Sequence, residues 1–205
     1  MSKASIRWVI KFGGSLSQSA CLADWLDALA GRPCIIVPGG GLFADAVREA
    51  QNRHAFDDRV AHDLAIRAMG LYGRMLLGMA PKISRAESIA ALTQRRDPEG
   101  ACLWLPDPEE TCLQKLKASW DVTSDTIAAT LALELEIPEL VLVKSLTLAQ
   151  EPLSLQSATD QGLVDPALRG MVQGRNLRLW LKGPDPEGLA KALEDPVSSL
   201  TQLIT

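Results

Sequence analysis

Cys34-Ile35-Ile36-Val37-Pro38-Gly39-Gly40-Gly41 is the stretch on which the fold turns. Four consecutive apolar residues, three of them β-branched, suit a strand buried on both faces, the kind a parallel sheet contains. Pro38 and the three glycines end the strand, and residues 42–53 then carry a helical pattern. Toward the N-terminus, residues 6–12 (Ile-Arg-Trp-Val-Ile-Lys-Phe) form a second β-rich segment closed by Gly13-Gly14. Between the two strands, residues 19–30 place Leu22, Trp25, Leu26 and Leu29 on one helical face, and Gly31 and Pro33 stop the helix. Strand, glycine turn and helix, repeated, are the units of an α/β fold with a mostly parallel sheet.

The rest of the chain extends that rhythm. Asp58 opens a helix predicted to reach residue 79, with Val60, Ala61, Leu64, Ala65, Ala68, Met69, Leu76 and Leu77 as its apolar positions. Ser84 followed by Glu87 has the spacing of a capping box. Residues 102–105 are a predicted strand closed by Pro106 and Pro108, residues 124–135 a helix, and residues 140–143 another buried strand. Residues 150–173 mix short apolar pieces with Gly162, Pro166 and Gly170, and no single element is predicted there. A last strand at 177–181 and a last helix at 186–193 follow. With no internal repeat or linker, residues 1–205 are expected to form one domain.

Composition narrows the function. At 47% hydrophobic and 22% charged, the chain is rich enough in apolar residues to build a core rather than stay disordered. The 21 Lys and Arg against 25 Asp and Glu leave a net charge of −4, so no basic excess favours nucleic acid. No apolar run reaches the ~18 residues that cross a bilayer. Lys3 and Arg7 precede a short apolar stretch that Lys11 interrupts, so no signal peptide is expected. Cys21, Cys34, Cys102 and Cys112 form no CxxC pair, and His54 and His62 are the only histidines; a structural zinc site is not expected, and reduced thiols in the cytoplasm are.

Both glycine turns would lie at the carboxyl edge of a parallel sheet, where ligands bind. Glycines let backbone N–H groups approach an anion, and a following helix adds its positive end. Each loop has the alternative of a plain strand-to-helix turn; the triple glycine and Lys11 beside the first loop weigh toward phosphate. Asp125, in Trp120-Asp121-Val122-Thr123-Ser124-Asp125-Thr126, falls in the first turn of a small-residue helix. It reads either as a dipole-favourable acid or as a carboxylate that orients cations around a phosphoryl group.

Lys11-Phe12-Gly13-Gly14-Ser15, Pro38-Gly39-Gly40-Gly41 and Ser124-Asp125-Thr126-Ile127-Ala128-Ala129, in that order and spacing, resemble the amino acid kinase superfamily across most of the chain. The resemblance implies a three-layer α/β/α sandwich and phosphoryl transfer from ATP with Mg2+. No metal-ligating residue of the chain itself is expected. It implies Lys11 as the lysine that holds the transferred phosphoryl and Asp125 as the acid that organises the lysines. Gly13, Gly14 and Ser15 would contact phosphate, Gly39, Gly40 and Gly41 would cradle the acceptor's charge, and Ser124 would join them. Relatives of this kind are commonly homodimers or larger homo-oligomers.

The chain departs from the superfamily in being short, in carrying Lys144-Ser145 where many members have Thr/Ser-Asp, and in having Arg169-Gly170-Met171 in place of a late Gly-Gly-Met…Lys element. Lys144 stands as a second cation on the nucleotide side or as a solvent-facing residue. Asp57-Asp58-Arg59, His62, Ala65, Ala68-Met69, Tyr72-Gly73, and later Gly162-Leu163-Val164-Asp165, resemble a compact subgroup that includes the small kinase of methanofuran biosynthesis. That resemblance implies an aminomethylfuran-methyl phosphate as acceptor. The alternatives are a carboxylate- or nucleotide-directed kinase of the same superfamily, or a binding protein without catalysis. His62 is expected to be a polar helix residue with Asp58 as its i,i+4 partner rather than a substrate contact.

Overall fold

The computed structural model describes residues 6–95, 100–149, 151–197 and 199–204; Lys3 and Gln150 of the sequence reading lie outside them. In chain order the elements are β1 (Trp8–Phe12), a 3-10 turn (Gly14–Gln18), α1 (Leu22–Ala30), β2 (Cys34–Pro38), α2 (Gly41–His54) and α3 (Asp58–Met79). Then come β3 (Ser84–Ala86), α4 (Ile89–Thr93), β4 (Cys102–Trp104), α5 (Thr111–Gln114), α6 (Ser124–Glu134) and β5 (Glu139–Val143). The last part contains β6 (Leu153–Ser154), α7 (Leu155–Asp160), α8 (Leu168–Val172), β7 (Arg178–Lys182), α9 (Leu189–Glu194) and β8 (Thr201–Ile204).

The strands form one sheet in the order β3-β4-β2-β1-β5-β7-β8-β6. Every pairing is parallel except that of β7 with β8. Successive residues of the central strands bury into opposite layers, as strand geometry requires. Trp8, Ile10 and Phe12 pack with α1 and α9 through Leu22, Trp25, Leu29 and Leu189. Val9, Ile35, Val37, Leu140 and Leu142 pack with α6 through Ile127, Ala128 and Leu131. The result is the expected three-layer α/β/α arrangement.

Register positions the site. Phe12 of β1 pairs with Pro38 of β2 on one side and with Val143 of β5 on the other. The Gly13 turn, the Gly39 turn and Lys144 therefore leave three adjacent parallel strands at one level. From β1 the chain first builds outward through β2 and β4, then returns to lay β5 on the other side, which makes this edge a topological switch point.

Several elements differ from expectation. Ser84 starts no helix: it begins edge strand β3, and its hydroxyl donates to the Ala101 carbonyl. The cap lies four residues on, where Ser88 accepts from the Ala91 N–H. Helix α3 has the predicted bounds, and Asp57 caps it by accepting from the Val60 N–H. Its buried stripe runs through Ala61, Ile66, Met69, Tyr72 and Leu76, while Val60 and Leu64 face out. The region from 151 to 173 contains a short edge strand and two short helices, too brief for periodicity to show.

Candidate active site

Asp125 stands between two lysines. Its carboxylate lies 3.0 Å from Lys11 Nζ, and Lys144 Nζ donates to both of its oxygens at 2.9 and 2.8 Å. Lys11 and Asp125 are buried, 6% and 4% exposed, which makes this a desolvated charge cluster rather than a surface pair. The chain arranges it locally. Lys11 alternates toward the α6 side of β1, Lys144 follows the last residue of β5, and α6 is buried nearly all round, so its first turn lies against the sheet. Of the two roles open to Asp125, the geometry brings it into contact with both cations. Lys144 turns inward to Asp125, not to solvent.

The charges act on one another. Burial alone would raise the Asp125 pKa, but the Lys11 and Lys144 ammonium groups overturn this and hold it at about 2. Lys144 is lowered to about 8, first by burial and then by repulsion from Lys11, with Asp125 opposing both. The cluster carries two cations and one anion, an excess of positive charge that suits a phosphoryl group.

Asp165 supports this cluster from behind. Its backbone N–H donates to Asp125 at 3.3 Å. Its carboxylate accepts from the Thr123 and Thr126 N–H groups and from both threonine hydroxyls, and so caps α6 from a distant loop. The sequence singled out Asp165 within a motif but offered no sign of this partner, because the capping contact spans about a fifth of the chain.

The two glycine loops meet. A Cβ on Gly14 would lie 2.3 Å from the Gly41 nitrogen, and one on Gly39 would lie 2.4 Å from the Gly14 nitrogen. Only bare backbone allows that approach. Gly13 is equally constrained, since a Cβ there would meet the Val143 carbonyl at 2.7 Å and stand 3.8 Å from Lys11 Nζ. The left-handed position is Gly41, at φ +53°, whereas Gly40 has an ordinary φ of −81°. Helix α2 starts at Gly41 with no side-chain cap on its N–H groups.

A cavity of about 270 Å³ opens beside these loops, lined by Gly14, Ser15, Gly40, Gly41, Thr123 and Ser124, with Arg48, His62 and Trp120 farther out. Gly13 and Gly39 do not line it; they hold the loops together. The Trp120 indole donates to Gln51 at 2.6 Å, and Arg48 lies over its ring at 4.3 Å. Neither Arg48 nor Gln51 carried a signal in the sequence. His62 does not pair with Asp58, whose carboxylate accepts from Gln51 instead. A second cavity, of about 290 Å³, lies past β5 and β7 among Thr147, Leu148, Lys182, Gly183, Pro184 and Asp185. Among the described residues no group of three or more His, Cys, Asp or Glu is placed to hold a metal ion. All four cysteines are free thiols, and no described helix is long and apolar enough to cross a membrane.

The architecture and its glycine-rich edge define the class: the chain has the amino acid kinase fold. Uridylate kinase from Archaeoglobus fulgidus superposes with a TM-score of 0.72 at 14% identity, over 97% of this chain and 100% of that one. Aspartate kinase from Synechocystis gives 0.62 at 14% identity, over 87% of this chain and 38% of that one. By sequence, the chain is 26% identical over 140 residues to [5-(aminomethyl)furan-3-yl]methyl phosphate kinase of Methanocaldococcus jannaschii. That match spans 65% of this chain and 63% of the relative's length. No family model matches the chain.

Proposed function

We propose that the protein is an ATP-dependent kinase that transfers the γ-phosphoryl group to an acceptor that is itself a phosphate ester, with [5-(aminomethyl)furan-3-yl]methyl phosphate as the acceptor. The observation that carries this reading is the Lys11–Asp125–Lys144 cluster, set between two cavities at the carboxyl edge. One cavity would take the acceptor against the uncapped start of α2, and the other the nucleotide. The name of the 26%-identical relative supports the choice of acceptor.

In the step, an acceptor phosphate oxygen forms a bond to the γ-phosphorus, the bond from that phosphorus to the β,γ-bridging oxygen breaks, and ADP leaves with the electron pair. Such a transfer needs positioning and charge stabilisation more than a protein nucleophile. Lys11 and Lys144 supply the cations, and Asp125 fixes their positions. Mg2+ would be carried on the nucleotide's own phosphates, which fits a site whose two nearest acids, Asp125 and Asp165, already have their oxygens engaged. When bound, the ion supplies further charge neutralisation at the phosphates.

The exposed side chains of Leu42, Val60, Leu64 and Leu71 on α2 and α3 support a homo-oligomer through that face, which light scattering would show as a mass above one chain. The functional test is turnover of labelled ATP against the furan-methyl phosphate, isopentenyl phosphate, UMP and acetylglutamate. The expected result is a diphosphate product from the furan substrate. Turnover of acetylglutamate alone, or of no acceptor, would overturn the reading.

A further inference from the structure

Within the acceptor cavity one polar atom is without a partner. His62, on the first half of α3, is 8% exposed, lines the cavity, and its Nε2 finds no hydrogen-bond partner among the described residues. The ring's one hydrogen bond goes to the Ser119 backbone. With Nε2 unpaired, that bond belongs to Nδ1, which donates to the carbonyl and leaves Nε2 as a buried lone pair. Burial is the largest cause holding the imidazole below its ordinary pKa; Asp63 opposes and Arg59 adds to it, so the ring is neutral near pH 7. A buried acceptor left unpaired is costly, and the ring that carries it is held by its bond to the Ser119 backbone. It therefore calls for a donor on whatever fills the cavity.

The charges around it indicate which donor. Asp45 of α2 also lines the cavity, with an exposed carboxylate. Arg48, the cation of the same lining, is occupied by the Trp120 ring at 4.3 Å and by Asp45 at 3.9 Å. We propose that His62 Nε2 selects the acceptor by taking a hydrogen bond from a protonated primary amine at its far end, with Asp45 balancing the ammonium charge. The phosphate end then faces Gly14, Gly40 and Gly41. This deepens the kinase reading and rests on it for the orientation of the acceptor.

The experiment compares [5-(aminomethyl)furan-3-yl]methyl phosphate with [5-methylfuran-3-yl]methyl phosphate, which lacks the amine. Calorimetry without nucleotide gives both affinities, and turnover with ATP gives both kcat/KM values, for the wild type, His62→Ala and His62→Gln. The wild type is expected to prefer the amine by about 10- to 100-fold, the worth of a hydrogen bond to a charged group. His62→Ala should bring the two probes to within about twofold, through KM rather than kcat, and His62→Gln, which offers a carbonyl oxygen, should restore part of the preference. Equal wild-type affinity for both probes, binding of neither, or a preference that survives in His62→Ala would overturn the proposal. Preferential binding of the amine without turnover would keep His62 in this role and refute the kinase reading instead. Should His62→Ala fail to fold, the contrast between wild type and His62→Gln decides.

Discussion

Replacing Asp125 by Asn keeps the shape of the side chain and removes the one negative charge between Lys11 and Lys144. At 2.8–3.0 Å, each contact is worth about 6 kcal/mol at an effective dielectric of about 20. Burial and the repulsion between the two lysines offset much of that, and breaking a buried pair by deleting one partner typically costs about 3–5 kcal/mol. Lys144 has an escape: its pKa, already about 8, loses the support of Asp125, so it sheds its proton near neutrality. The variant should therefore be least stable at acidic pH, where both lysines stay charged, and should recover as pH rises. Its kcat should fall by about 10²–10³, the usual effect of losing one preorganised electrostatic element. The alkaline fall in rate should also move to lower pH. The assay is kcat with ATP, Mg2+ and the furan-methyl phosphate from pH 6 to 9, with Tm on the same preparation. An unchanged kcat and pH profile would refute the reasoning and leave Asp125 a helix-end acid.

Other perturbations separate the parts of the site. Lys11→Ala should lower kcat by about 10²–10³ while KM for the acceptor changes little, and wild-type turnover would remove Lys11 from the mechanism. In the wild type, kcat should decline as pH rises through about 8, as Lys144 loses its proton. The same shift makes folding stability rise between about 8 and the ordinary 10.5, because only the unfolded chain still holds that proton there. Lys144→Arg should keep the charge and lose the alkaline decline; a decline that persists in the variant assigns it to another group. Gly14→Ala places a methyl 2.3 Å from the Gly41 nitrogen, so the loops must part. Acceptor KM should rise by about tenfold or more and nucleotide affinity should change less, measured by titration of each substrate.

The glycine loops, Lys11 and Asp125 were legible in the sequence because each follows directly from a strand or opens a helix, so a local pattern carries its position. The inward turn of Lys144 was not, since Lys144-Ser145 gives no period to read, and burial depends on α6 crossing behind it. The Asp58 partner expected for His62 is wrong because the i,i+4 rule looks only along the helix itself. The ring instead reaches Ser119, on the loop before α6, while Asp58 is engaged by Gln51 of α2. Strands β6 and β8 have two and four residues at the far end of the sheet, so neither alternation nor a continuous apolar run could mark them.

Two helices point their N-termini toward this edge, and the chain treats them oppositely. The start of α6 is met by the Asp165 carboxylate, which accepts the Thr126 N–H of its first turn and the Thr123 N–H just before it, and so sets a negative charge against its positive end. The start of α2 has no side-chain cap and opens beside the bare backbone of Gly14. The Asp165 charge thus weakens the pull of the α6 end on an anion, while the start of α2 and the excess cation of the Lys11–Asp125–Lys144 cluster keep theirs. In the proposed reaction the distant cap on α6 would therefore favour the path from α2 past Gly14 to Lys11, along which an acceptor phosphate oxygen and a γ-phosphorus could be brought into line.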